Sequence, residues 1–137
     1  MGSVSGALPI QREGDIVQAR QQARELARSL GFSTVDQSRI ATAVSELTRN
    51  IIRYAAGAGG EVSFEVLQRD GRPKGLQVVV ADAGPGIEDV ERAMRHGYSS
   101  GPGMGLGLPG AKRLMDEFEL ETAVGAGTKV VMRKWLR

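Results

Sequence analysis

Apolar side chains recur at Ile16, Ala19, Ala23, Leu26, Ala27 and Leu30, the spacing of three and four that lays one helical face on a core and predicts a helix over residues 15–30. Gly31 stops it. Ser33 or Thr34 can cap a second helix with a buried stripe of Ile40, Val44, Leu47, Ile51 and Tyr54 or Ala55. Glycines 57, 59 and 60 close that helix, and Val62, Phe64 and Val66 then alternate as in a strand with one buried face. Residues 69–75 (RDGRPKG) read as a turn, after which residues 76–80 form a nearly all-apolar strand running into Asp82. A short helix is expected over residues 88–95 and a mobile Gly, Ser and Pro segment over 97–105. A third main helix begins near Gly107, with Pro109 in its first turn, and runs through Ala111, Leu114 and Met115. Strands at 118–124 and 128–135 close the chain around Gly125-Ala126-Gly127. Helices alternating with hairpin-connected strands predict an α/β two-layer sandwich, a mostly antiparallel sheet with helices packed on one face.

Composition narrows the picture. A length of 137 residues suits one domain spanning residues 1–137, with a sizeable core but no room for a separate sensor. Cysteine is absent, which removes disulfides and thiolate metal sites. Met1 to Ser5 shows no charged region followed by an apolar run, and no stretch reaches membrane-spanning length, so a cytoplasmic protein with no membrane partner is expected. The net charge of +2 comes from interleaved signs, and aromatic residues are few. A nucleic-acid partner is therefore not expected.

Three short signals carry the candidate chemistry. Glu46-Leu47-Thr48-Arg49-Asn50 sets a carboxylate and a carboxamide four residues apart, on one helical face. Asn50 can give one oxygen to a magnesium ion that keeps waters and phosphate oxygens, and Glu46 can take a proton from an attacking hydroxyl or water. Arg53, one turn on, can meet phosphate. Asp82-Ala83-Gly84-Pro85-Gly86 places an acceptor-only carboxylate at a strand end, suited to an exocyclic amine such as that of adenine. Gly84 and Gly86 would clear space for a base or adopt backbone angles closed to other residues. Gly103-Met104-Gly105-Leu106-Gly107 leads into a helix and offers backbone amides to phosphate.

Each signal has a bland counterpart: a solvated helix face, a strand-ending turn, a flexible linker. Their order along one small domain favours a magnesium-nucleotide site. Residues 105–110 (GLGLPG) literally match the dinucleotide fingerprint, but no strand precedes them and no βαβ unit can follow, so that reading is rejected. The lone His96 reads as a surface residue and Trp135 as packing against the sheet.

These residues resemble the boxes of the GHKL (Bergerat-fold) ATPase/kinase superfamily. Residues 46–50 are similar to its N box, 82–86 and 103–107 to its two glycine boxes, and Gly127-Thr128 to its last short element. The short single-domain form, the stretch 113–119 and the ending KWLR resemble the RsbT-type serine/threonine switch kinases of bacterial stressosomes. That resemblance implies ATP bound between the helices and a lid over roughly 92–106. Asn50 would hold Mg2+, Glu46 would act as general base, Asp82 would bind the adenine amine with Thr128 supporting that contact, and the glycines with Met104 and Leu106 would clasp phosphates. Arg53 stands where related histidine kinases carry a phosphate-contacting lysine. The implied substrates are STAS-domain scaffold or antagonist proteins, with a downstream phosphatase or other effector. Two alternatives share the same boxes: an anti-sigma factor that sequesters a sigma factor, and a simple ATPase in which Glu46 activates water.

Overall fold

A computed structural model describes residues 7–55, 57–94 and 107–137. Its elements are β1 (Leu8–Ile10), α1 (Glu13–Leu30), α2 (Thr34–Tyr54), β2 (Gly60–Arg69), β3 (Arg72–Asp82), α3 (Val90–Ala93), α4 (Leu108–Leu114), β4 (Glu117–Thr122) and β5 (Thr128–Trp135). The five strands form one sheet in the order β1-β2-β3-β5-β4, and every neighbouring pair is antiparallel. The helices cover one face of it, as the period-two burial of the strands requires.

Local chemistry explains the helix ends. Asp15, in the first turn of α1, accepts the amides of Gln11 at 2.8 Å and Arg12 at 3.1 Å. These donors, Gln11 foremost, hold its carboxyl below the usual range. Gly31, left-handed at φ 96°, ends α1 by returning its amide to Ala27 and Arg28 carbonyls. Ser33, rather than Thr34, caps α2, its hydroxyl accepting the Asp36 amide at 3.1 Å; such a cap contributes about 1 kcal/mol.

Ala19, Ala23 and Ala27 of α1 and Ala43 of α2 are buried, and their small side chains let the two helices pack closely. Ile40, Val44, Leu47 and Ile51 face the sheet's inner row of Val62, Phe64, Leu76, Val78, Val80, Val130 and Met132. The predicted stripe of α2 is thus the core stripe. Burying each such aliphatic side chain contributes roughly 1.5–3 kcal/mol.

The structure departs from the pattern-based expectation at several points, among them β4, which covers Glu117–Thr122 and ends short of residue 124. Residues 69–75 are not one turn: the reversal needs only Asp70 and Gly71, at φ 55° and 77°, a two-residue primed turn that matches strand twist. Arg72 to Gly75 then belong to β3, and Pro73 is accommodated where the register shifts between Leu67 and Gln68. The short β1 was not expected, because three residues are too few to show a period. Helix α4 stops at Leu114, with Met115 already extended at φ −108° and ψ 162°. The short helix covers only Val90–Ala93. Residues 95–106, and with them Arg95, His96, Gly103, Met104, Gly105, Leu106 and most of the expected lid, lie outside the described residues.

Trp135 does pack against the sheet, on its outer face. Its ring lies on Gly75, where a Cβ would come within 2.7 Å of Cε3, and its Nε1 donates to Glu117 at 2.6 Å. The Arg69 guanidinium stands 5.3 Å from the ring centroid.

Candidate functional site

A cavity of about 230 Å³ opens between α2 and the ends of β3 and β5. Asn50, Asp82, Gly86 and Thr128 line it, so the structure gathers these four predicted residues from three separate stretches of chain. Its walls are otherwise apolar, with Leu47, Val80, Ile87, Leu108 and Val130 among them. A concave apolar slot with a few convergent polar groups is what a flat heteroaromatic base requires.

Asp82 ends β3 and pairs in register with Thr128 on β5. One of its oxygens, Oδ1, accepts the Gly84 amide at 2.9 Å. That local turn fixes the carboxylate and leaves its second oxygen for a ligand donor. Gly84 serves packing, since a Cβ there would meet the Cβ of Ala55 at 2.6 Å. Gly86, at φ 79°, brings the loop against the Ala123 carbonyl, which a Cβ would approach to 2.1 Å.

Thr122, which sequence reasoning missed, organises the opposite wall. Its hydroxyl accepts the Ile87 amide at 2.9 Å, donates to the Gly127 carbonyl at 2.9 Å and meets the Thr128 hydroxyl at 3.0 Å. With its single proton on Gly127, Thr128 must be the donor in that pair. The lone pairs of Thr128 are then free to accept from a ligand amine. No local pattern marks Thr122; its role comes from the β4 to β5 pairing.

Gly127, at φ 84°, lies so close to Asp82 that a Cβ would sit 2.1 Å from its carbonyl oxygen. Gly127→Ala is expected to lose at least about 1–3 kcal/mol through backbone strain alone, lowering the thermal midpoint by on the order of 5–10 °C in a calorimetric scan.

Glu46 does not line the cavity. It sits one turn before Asn50, its Oε1 3.3 Å from Arg49 Nη1, with 40 % of its side chain exposed. Gly107 at the start of α4 packs against it, a Cβ there falling 2.6 Å from Glu46 Oε2. Arg53 is exposed and outside the cavity lining. Thr48 is fully buried and returns its hydroxyl to the Val44 carbonyl at 2.8 Å, so that member of the first signal is structural. Among the described residues no group of three or more His, Cys, Asp and Glu could hold a metal, and Asn50 brings one side-chain oxygen to the cavity lining.

Tyr54 is the other residue whose role the sequence did not reveal. It lines the cavity, and its buried hydroxyl has no hydrogen-bond partner among the described residues. Leaving such a group unpaired costs about 1–3 kcal/mol. A nucleotide fits the cavity instead through the second oxygen of Asp82 and the Thr128 hydroxyl at the mouth of the apolar slot. Tyr54→Phe is therefore expected to keep or raise the thermal midpoint of the free protein in a calorimetric scan and to leave nucleotide affinity within about twofold by titration calorimetry.

The model of the histidine kinase-like ATPase domain matches residues 10–134. Over 128 residues the chain is 51 % identical to the serine/threonine-protein kinase RsbT of Bacillus subtilis strain 168, spanning 93 % of this chain and 94 % of that one. It is 35 % identical over 105 residues to the anti-sigma F factor of Clostridium novyi strain NT, covering 72 % and 70 % of the two chains. Among solved structures, the RsbU and RsbW domains from Mycobacterium tuberculosis superpose with a TM-score of 0.65 at 21 % identity, over 97 % of this chain and 33 % of that one. The mycobacterial sensor histidine kinase MprB gives a TM-score of 0.56 at 21 % identity, over 98 % and 99 %. The two structural likenesses bear on the fold, which is the predicted two-layer sandwich.

Proposed function

Because the chain belongs to the histidine kinase-like ATPase family, we propose that it is an ATP-dependent serine/threonine protein kinase working as one domain in bacterial stress signalling. The observation that carries the reading is the cavity that brings Asn50, Asp82, Gly86 and Thr128 together at an apolar slot. The 51 % identity to a serine/threonine kinase supports it over a sequestering role.

Adenine enters the apolar slot, with Asp82 accepting its exocyclic amine and Thr128 supporting that contact. Asn50 holds Mg2+, Arg53 contacts phosphate, and Gly103, Met104, Gly105, Leu106 and Gly107 offer backbone amides to the phosphates. Bound Mg2+ and ATP supply the phosphoryl donor and neutralise charge on its oxygens. Glu46 takes the proton of the incoming serine or threonine hydroxyl, and its part-exposed position leaves it accessible to a protein substrate.

The substrates are STAS-domain scaffold or antagonist proteins in the cytoplasm. Their phosphorylation frees the kinase to act on a downstream phosphatase or another effector. No described helix is long and apolar enough to cross a membrane. Intact-mass analysis of a STAS protein encoded beside this chain, after incubation with Mg2+ and ATP, tests the reading. A phosphoryl adduct is expected. Nucleotide binding with no adduct, together with a co-purifying sigma factor, would favour the anti-sigma alternative, which the 35 % likeness to an anti-sigma F factor keeps in view.

A further inference from the structure

The inner row of β5 carries Val130, Met132 and Lys134, and the lysine is only 4 % exposed. An ammonium in a core row is an expensive choice, because it must be paired and hydrogen bonded to be tolerated at all. The Nζ of Lys134 donates to the carbonyl of Leu114, the last residue of α4, at 2.8 Å. It lies 3.8 Å from Asp36 Oδ1 and 3.7 Å from Asp116 Oδ1. Each carboxylate is fixed in turn: Asp36 by Arg39 at 2.9 Å, and Asp116 by the Trp135 amide at 2.8 Å and by Arg137. One nitrogen thus joins the first turn of α2, the end of α4 and the end of β5.

We propose that Lys134 is a positioning residue for the nucleotide site, tying α4 to α2 and so holding Gly107 against Glu46. The inference rests on the nucleotide reading of the preceding section. Helix α4 has seven residues, too few to persist alone, and spans about 10 Å. Leu108, its first residue, and Ala111 seat its N-terminal turn in the core, while Gly107 before it and the carbonyl of Leu114 at its end meet the two functional contacts. Its last carbonyl is held by Lys134. Its first residue follows Gly107, whose backbone abuts the Glu46 carboxylate. In so short a rod, release of one end shifts the other. The consequence falls on Gly107, whose amide is among those offered to the phosphates in that reading. A methionine at 134 would fill the same volume without the tether.

The test uses the full chain and its Lys134→Met and Lys134→Arg variants, with hydrogen exchange and titration of ATP and ADP in Mg2+. In the nucleotide-free parent, α4 amides are expected to be protected as strongly as those of β5. Lys134→Met is expected to keep its thermal midpoint, speed α4 exchange, and weaken ATP binding by about tenfold with ADP within about twofold. Lys134→Arg, which keeps charge and donor, is expected to restore most of the difference. Retention of both α4 protection and ATP affinity in Lys134→Met overturns the proposal. If that variant does not fold, rapid α4 exchange in the parent overturns it and full protection supports it. A parent that binds neither nucleotide refutes the nucleotide reading instead, and α4 exchange still decides the tether.

Discussion

Asp82→Asn is expected to fold with a thermal midpoint close to that of the parent and to lose at least about 30-fold in ATP affinity, read by titration calorimetry with Mg2+. The two outcomes separate because the carboxylate does two jobs. One oxygen holds the Gly84 amide, and the asparagine carbonyl can keep that bond. The other position then becomes an amide NH2, a donor facing the donor amine of adenine. Loss of a charge-assisted hydrogen bond costs about 1.5–3 kcal/mol, and the donor clash adds to it. The same swap should narrow the preference for ATP over GTP, since guanine presents a carbonyl where adenine presents the amine. An ATP affinity equal to the parent's would show that Asp82 is only a turn residue.

Glu46→Gln is expected to bind ATP with an affinity within about threefold of the parent and to transfer phosphate to a STAS partner about 10²–10⁴ times more slowly, the usual contribution of a positioned general base. Glu46 lies outside the lining of the base cavity, which is why binding should survive. Glutamine keeps the shape beside Gly107, where space is short, and removes only the ability to take a proton. Intact-mass time courses of the partner, run beside nucleotide titrations, make the comparison. A transfer rate unchanged in Glu46→Gln would move the base role to another residue. ATP turnover in the parent that needs no partner and ignores its addition would favour the simple ATPase.

The alternation and helical spacing of apolar residues determined most of the architecture. The α1 and α2 stripes, the alternating rows of β2 and β5 and the nearly all-apolar run of residues 76–80 in β3 are all local signals, because each element must bury one face. Asn50 and Asp82 also stand out in sequence order, as a carboxamide one turn after Glu46 and a carboxylate after an apolar strand, whereas Thr128 came only from the family resemblance of Gly127-Thr128; all three line the cavity.

Tertiary structure decided what those residues touch. Thr122 became the hydrogen-bond centre of the wall because β4 pairs with β5 and brings the Ile87 loop within reach. Of the two residues that could close the core stripe of α2, Ala55 is the one in the core, while Tyr54 lines the cavity and buries its hydroxyl. Lys134 reads along the chain as an ordinary surface charge near its end. Only the meeting of Asp36 with Leu114 and Asp116, two distant stretches of chain, lets an ammonium sit in the core row of β5. Local periodicity encodes which face an element buries. Hydrogen bonds and charge pairs across elements depend on register and packing, which exist only once the sheet and helices have assembled.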